Sequence, residues 1–266
     1  MYKLSVISCF DLDISVQTEK FCELYVDMIP NTPKESFRIL WVIEPNEVSN
    51  FRQTAVENHD KFDLILAWDK DILLSCPNAK LFPYGTTWIQ DFEFLEKKEY
   101  CITTLIGGKT MSQGHLLRHK LIDISKLITS IPVHLYNSIN NSFSQSPELR
   151  QMVSRSWKNE LFYSQFHIVI ENVTSDNWFT EKIVDCFQTN TIPIYIGCNN
   201  IGDYFDLRGM FHVKSLEEIV EVCNNIKPET YQNMLEYVKI NYENSMKYHD
   251  YRKRLEDAVN LFISEN

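Results

Sequence analysis

The chain has 266 residues, of which 44% are hydrophobic, so it is long enough for one large domain or two ordinary domains with buried cores. Its 36 acidic and 26 basic residues give a formal net charge of -10, which argues against general affinity for nucleic acid or anionic membranes. An anionic ligand would need a local positive site. The sequence has no signal-peptide pattern or apolar run long enough for a transmembrane segment, and its seven cysteines form no CxxC pair. We therefore expect reduced thiols and a cytoplasmic location.

Strand-like segments alternate with helical patterns along most of the chain, which predicts βαβ units and parallel sheets. The strand candidates, in chain order, are KLSVISCF, FRILWVIEP, FDLILAW, AKLFPYG, CITTLIGG, IPVHLY, FHIVIEN, TIPIYIG and MFHVKS. The polar segment IQDFEFLEKKEY separates two groups of strands, and after Lys214 the pattern is helical to the end. We predict an α/β protein with domains at residues 1–95 and 96–266, the second carrying the terminal helices.

The segment GGKT, Gly107 to Thr110, invites comparison with a phosphate-binding P-loop. That motif requires glycine at position 103, where this chain has Thr103, so the match fails. A Gly-Gly turn and a helix from about Ser112 remain, and the amides of a helix start still favour anions.

Three polar residues on that predicted helix, His115, His119 and Asp123, follow one another at spacings of four. Such a face could ligate a metal, but Leu116 stands where the zinc-protease motif has glutamate. The pattern is therefore interpreted as a mixed polar face, and no metal site is predicted.

An acidic residue, Glu44, ends the strand pattern FRILWVIEP just before Pro45. Carboxylates at the carboxyl ends of parallel strands face the crevice where α/β proteins bind ligands, so Glu44 could act as a general base. It could equally be a solvated acid that caps the following helix, and the pattern leaves both interpretations open.

The segment FHIVIENVTSDNWFTEKIVDCFQTNTIPIYIG, residues 166–197, predicts a strand, a loop, a helix and a second strand. The first strand ends on Glu171 and Asn172, and Thr180 is the predicted N-cap of the helix. Glu181 suits the dipole of the helix start, whereas Lys182 opposes it and is easier to understand if an anion binds there. An anion site beside acceptors and donors for hydroxyl groups describes a nucleotide-sugar site.

This segment resembles the α1,3/α1,4-fucosyltransferases of glycosyltransferase family 10. It is similar to that family's strand ending in F-E-N, its aromatic-x-T-E-K helix start and its T-x-P-[IV]-x-x-G strand. The resemblance implies a GT-B-like fold, in which two Rossmann-like domains face a cleft and are followed by C-terminal helices. It also implies that the C-terminal half binds the nucleotide-sugar donor.

The resemblance further implies roles for individual residues. Glu171, Asn172, Glu181 and Lys182 match the donor motif, with Glu181 near the sugar hydroxyls and Lys182 near the diphosphate. Trp178 lies where the family usually has tyrosine, which leaves the identity of the sugar open.

Two further matches are shorter. Arg118 resembles the arginine that meets the diphosphate, with bidentate geometry, and Glu44 resembles the proposed catalytic base. The expected reaction is inverting transfer of fucose from GDP-fucose to a glycan hydroxyl, without a required cofactor and with a divalent cation optional. The alternatives are another nucleotide sugar, or a non-catalytic protein that binds nucleotide sugars or glycans.

Overall fold

The computed structural model describes residues 2–3, 5–8, 17–18, 21–89, 97–138, 149–151 and 155–265. The chain forms two compact units. Unit 1 consists of Met1–Gly85, Asp176–Trp178 and Asp250–Asn266, and unit 2 of Thr86–Ser175 and Phe179–His249. Within the described part of the chain, none of the helices combines the length and the apolar character needed to cross a bilayer.

Unit 1 is built on a five-stranded parallel sheet whose strands lie side by side in chain order. They are Ser5–Ser8, Cys22–Val26, Phe37–Trp41, Leu64–Ala67 and Ala79–Leu81. Tyr2–Lys3 and Gln17–Thr18 form a separate antiparallel pair. The connecting helices are Asn46–Ser49, Arg52–Glu57 and Lys70–Ser75, with a 3-10 turn at His59–Lys61.

The last helix, Tyr251–Glu265, belongs to unit 1. Its buried residues Leu255, Val259 and Ile263 recur at helical spacing and pack in one cluster with the sheet residues Leu24 and Trp41. The predicted domain of residues 96–266 includes this helix, whereas in the structure the helix packs in unit 1, because its apolar stripe matches the first sheet. The predicted boundary between residues 95 and 96 falls within residues 90–96, which are outside the described residues.

Unit 2 contains a six-stranded parallel sheet. In spatial order its strands are Leu149–Gln151, Val133–Asn137, Glu99–Ile106, Ser164–Ile170, Ile192–Ile196 and Phe211–His212. Numbered along the chain within this unit, the order is 3-2-1-4-5-6, the strand order of dinucleotide-binding Rossmann folds.

Helices cover both faces of the second sheet. The strand Ser164–Ile170 shows the reason, because it directs apolar side chains to both faces. Phe166 and Ile168 pack in one cluster with Leu121, whereas Val169 packs in another with Ile183 and Phe187. The α-helices of this unit are Gln113–Ile124, Glu181–Gln188, Leu216–Asn225 and Thr230–Ser245. Its 3-10 helices are Ser125–Leu127, Arg155–Tyr163, Ile201–Asp203, Leu207–Gly209 and Met246–Tyr248.

Each strand candidate of the sequence overlaps a strand of the structure, and the predicted caps Ser112 and Thr180 are confirmed. One strand of the first sheet, Cys22–Val26, was missed. The polar Glu23 interrupts its short apolar run, but in the structure that side chain is partly buried and pairs with Arg38 on the neighbouring strand at 2.9 Å.

Candidate active site

The site starts where the strand order of unit 2 reverses, between Glu99–Ile106 and Ser164–Ile170. Open α/β sheets bind ligands outside the carboxyl ends of their strands at such a switch point, because the loops there diverge and leave a crevice. The sheet of unit 1 runs in chain order and has no reversal among its described strands. The topology therefore favours the end of Ser164–Ile170, which is the predicted Glu171 and Asn172.

A close backbone approach fixes this place. The amide of Gly114, in the first turn of the helix Gln113–Ile124, donates to the carbonyl of Asn172 at 3.0 Å. A Cβ atom at Gly114 would lie 1.7 Å from the carbonyl oxygen of Glu171 and 2.8 Å from that of Asn172. Only glycine lets this helix reach the strand end.

Replacing Gly114 with alanine is therefore expected to destabilise the protein by about 1–3 kcal/mol, through overpacking. The sign is informative, because Gly→Ala inside a helix normally stabilises by about 0.5–1 kcal/mol. Urea unfolding measures the change. Gly107→Ala is the matched control, since the nearest atom to a Cβ there is the Ser138 hydroxyl at 3.8 Å. A Gly114→Ala protein as stable as the parent would contradict the close approach.

The predicted diphosphate residue Arg118 reaches the strand end from the same helix. One Nη atom donates to the carbonyl of Ile170, and Nη2 donates to Oδ1 of Asn172 at 2.9 Å. The residue is 7% exposed, and burial lowers its pKa, with Glu171 and Glu181 acting in the opposite direction. One N–H of each Nη atom is thus used to hold the strand end and to orient Asn172, and the contact of Arg118 with a diphosphate stays a prediction.

Glu171 braces the strand against the following helix. Its Oε1 accepts the backbone N–H of Thr180 at 2.9 Å, and its Oε2 accepts the Thr180 hydroxyl at 2.8 Å. Its side chain is fully buried, and this burial raises its pKa. The sequence predicted Glu171 among the groups offered to a ligand, but the structure directs both oxygens to the N-cap residue.

Lys182 and Glu181 occupy the start of the helix Glu181–Gln188. Nζ of Lys182 lies 2.9 Å from the Thr180 hydroxyl, 3.3 Å from Oε1 of Glu181 and 3.5 Å from Oε2 of Glu171. Its side chain is 27% exposed, compared with 9% for Glu181. The lysine is thus the more accessible charge of this group.

The pKa values of this pair reflect mutual stabilisation. Burial favours the neutral lysine, but Glu181 and Glu171 outweigh it and raise the pKa of Lys182. Burial also favours a protonated Glu181, but Lys182 and Lys158 outweigh it and lower the pKa of Glu181 to about 2. Both groups are therefore charged at neutral pH.

The pKa of a neighbouring histidine is lowered by burial and by nearby cations. His115 is held by the capping box with Ser112, its Nδ1 lying 2.7 Å from the serine hydroxyl. Burial and then Arg118, Lys109 and Lys182 lower its pKa to about 4. These cations belong to the same group as Glu171 and Glu181, so positive and negative charges meet at this end of the sheet.

A cavity of about 60 Å³ lies behind these side chains, lined among others by Arg118, Lys158, Glu181 and Asp185. It can hold a few waters but is far smaller than the roughly 300 Å³ of the smallest usual ligand pockets. A nucleotide would therefore approach the charged groups from their solvent side.

The family model described as glycosyltransferase family 10 (fucosyltransferase), C-term, matches residues 96–265, more than half of the chain. The chain belongs to glycosyltransferase family 10. The predicted resemblance to this family is confirmed.

One related protein and two solved structures are similar to this chain. The alpha-(1,3)-fucosyltransferase FucT of Helicobacter pylori is 34% identical over 92 residues, a match that spans 34% of this chain and only 19% of that protein. The crystal structure of an alpha1,3-fucosyltransferase superposes with a TM-score of 0.53 at 13% identity, covering 86% of this chain and 80% of that one. OtsA superposes with a TM-score of 0.61 at 9% identity, covering 94% and 73%. The predicted GT-B-like class, with two Rossmann-like domains and C-terminal helices, is confirmed.

Two residues predicted for this family 10 site lie in unit 1. Trp178 is 2% exposed, and its ring lies 4.6 Å from that of Trp68 and 6.0 Å from that of Tyr84. It therefore packs in an aromatic cluster of unit 1, and its contact with a donor stays a prediction. Glu44 follows the strand Phe37–Trp41 by three residues and is half-buried.

The backbone of Glu44 is fixed by a residue that the sequence did not indicate. Asp27 has φ of 47°, and its two carboxylate oxygens accept the N–H groups of Ile43 and Glu44, each at 3.0 Å. Burial raises the pKa of Asp27 to about 6, against the effect of these two hydrogen bonds. The helix after Glu44 has Pro45 at its N-cap, without a side-chain hydrogen bond, so Glu44 does not occupy the N-cap position. Asp27 was missed because the strand before it was missed.

Among the described residues, no group of three or more His, Cys, Asp or Glu side chains could hold a metal ion. The sequence placed His115, His119 and Asp123 on one face of their helix. In the structure His119 bonds through Nε2 to the carbonyl of Gly107 at 2.8 Å, and Asp123 pairs with Lys126 at 3.1 Å. The absence of a required metal stays a prediction.

Proposed function

We propose that this chain transfers fucose from GDP-fucose to a hydroxyl group of a glycan, with inversion at the anomeric carbon. The observation that carries the proposal is the cluster of Lys182, Glu181 and Arg118 at the switch point of a Rossmann-like sheet in a family 10 chain. A related crystal structure of an alpha1,3-fucosyltransferase contains GDP and superposes with a TM-score of 0.53 at 15% identity.

The mechanism follows from where charge develops. Breaking the bond between the sugar and the diphosphate creates an oxocarbenium-like sugar and a more negative leaving group, while the acceptor hydroxyl loses a proton. Lys182 is the accessible cation for the leaving diphosphate, because its side chain is 27% exposed. Glu181 accepts hydrogen bonds from the sugar hydroxyls, and Glu44 takes the acceptor proton.

Arg118, Asn172 and Glu171 have supporting roles in this proposal. Arg118 adds positive charge and orients the side-chain amide of Asn172 through Oδ1. Glu171 holds the helix start through Thr180 and so fixes the place of Lys182. We further propose that no cofactor is required and that nucleic acid is not a partner, since the net charge is -10. The cytoplasmic location stays a prediction.

Thermal denaturation with GDP, UDP, CDP and ADP tests the donor. GDP is expected to raise the melting temperature most, and at about a hundred times its dissociation constant it stabilises by about 2.7 kcal/mol. Guanosine is the matched control, because it lacks the diphosphate that Lys182 would contact. Running the panel with and without Mg²⁺ shows whether the cation is optional.

The outcomes separate the alternatives. A larger shift with UDP would replace fucose with another nucleotide sugar, and no shift with any of the four would remove the donor site. If GDP binds but neither fucosyl transfer nor slow hydrolysis of GDP-fucose is detected, the result would favour the non-catalytic binding protein.

A further inference from the structure

An exposed tryptophan lies beside the donor cluster and is held there by buried groups. Trp88 is 58% exposed, although large aromatic side chains normally bury their apolar surface. Its neighbours fix the backbone on both sides, because Ile89 is 4% exposed in the core of unit 2 and the Thr87 hydroxyl donates to Oδ1 of Asp185 at 2.7 Å. The backbone N–H of Trp88 donates to the same oxygen at 2.9 Å. The ring is therefore placed in solvent by a rigid anchor.

One face of the ring is already occupied. Nζ of Lys158 lies 3.9 Å from the ring centroid, which is a cation–π contact, and the lysine side chain is only 14% exposed. The same Nζ lies 3.8 Å from Oε1 of Glu181 and 3.9 Å from Oδ2 of Asp185. A single ammonium group thus separates the ring from the carboxylate assigned to the donor sugar. Since Trp88 is 58% exposed, the ring surface away from Lys158 is accessible to solvent.

We propose that the open face of Trp88 binds a pyranose ring of the acceptor glycan. Pyranoses present C–H groups on one face, and a flat aromatic ring is their usual apolar partner. This inference rests on the proposed function, since Glu181 marks the sugar end of the donor. Guanine is a poorer occupant, because the diphosphate separates the base from the transferred sugar, whereas Trp88 adjoins the residue at the sugar itself.

The test is binding to a printed panel of β-linked galactosyl and glucosyl oligosaccharides in the presence of GDP. Trp88→Ala is expected to weaken binding of the glycans that the parent protein retains by at least about tenfold, as for aromatic residues that a ligand covers on binding. Trp88→Phe keeps a ring and is expected to retain most of the affinity. The fold is preserved in both variants, since the bond to Asp185 comes from the backbone. Phe21→Ala, at an aromatic residue of unit 1 that is 53% exposed, is the matched control.

The thermal shift with GDP separates this inference from the donor proposal. Loss of glycan binding in Trp88→Ala with an unchanged GDP shift supports the acceptor site. If Trp88→Ala loses glycan binding but GDP does not stabilise the parent protein, the sugar site at Trp88 is retained and the assignment of GDP-fucose as donor is removed. Equal glycan binding by the parent and Trp88→Ala, or no binding of the panel by the parent, would overturn the inference.

Discussion

Glu44→Gln is expected to reduce fucosyl transfer by about 10²- to 10⁴-fold, because glutamine keeps the size of the side chain but cannot accept the proton of the acceptor hydroxyl. This loss corresponds to roughly 3 to 5 kcal/mol in the activation barrier. GDP affinity is expected to stay the same, since the base acts on the acceptor and not on the nucleotide. Initial rates and GDP affinity, measured on the same preparation, check both parts.

The matched control is Glu47→Gln, three residues further on in the exposed first turn of the helix Asn46–Ser49. It changes the same charge in the same segment and is expected to leave transfer unaffected. The alternative role of Glu44, a contribution to the helix start, predicts a loss of at most about 1 kcal/mol in stability with nearly full turnover. Transfer within about threefold of the parent would exclude Glu44 as the base, and a loss of transfer in Glu47→Gln would assign the role to Glu47.

Lys182→Ala is expected to lower transfer by about 10²- to 10³-fold and to weaken GDP binding as well. The reason is that its charge meets the diphosphate before the reaction and attracts it more strongly as negative charge builds on the leaving group. Calorimetric binding of GDP and steady-state rates separate the two parts. Lys126→Ala is the control, because that lysine is 55% exposed and pairs at the surface with Asp123 at 3.1 Å.

The variant should fold, since each carboxylate near Lys182 keeps another partner. Glu171 retains both hydrogen bonds from Thr180, and Glu181 retains Lys158 at 3.8 Å. A modest drop in melting temperature is therefore expected, from the loss of one cation beside two buried carboxylates. Unchanged rates and GDP affinity would show that Lys182 serves only the charge balance of this helix start.

Much of the second unit could be predicted from local sequence. The strand Ser164–Ile170, the cap Thr180 and the opposed charges Glu181 and Lys182 depend on neighbours within a few residues, so their patterns survive in one dimension. The strand Cys22–Val26 did not show such a pattern, because Glu23 breaks its apolar run and finds its partner Arg38 fifteen positions away.

The sequence by itself determined the alternation of strands and helices, the family and the polar residues at the end of Ser164–Ile170. Only the tertiary structure decided how these residues are used. Glu171 is directed inward to Thr180, Trp178 packs on Trp68, and Trp88 is held in solvent above Lys158. These outcomes depend on contacts between segments far apart in the chain, such as Gly114 against Asn172. A sequence pattern records which polar side chains are present, but not which distant groups hydrogen-bond to them and so offset the free-energy cost of their burial.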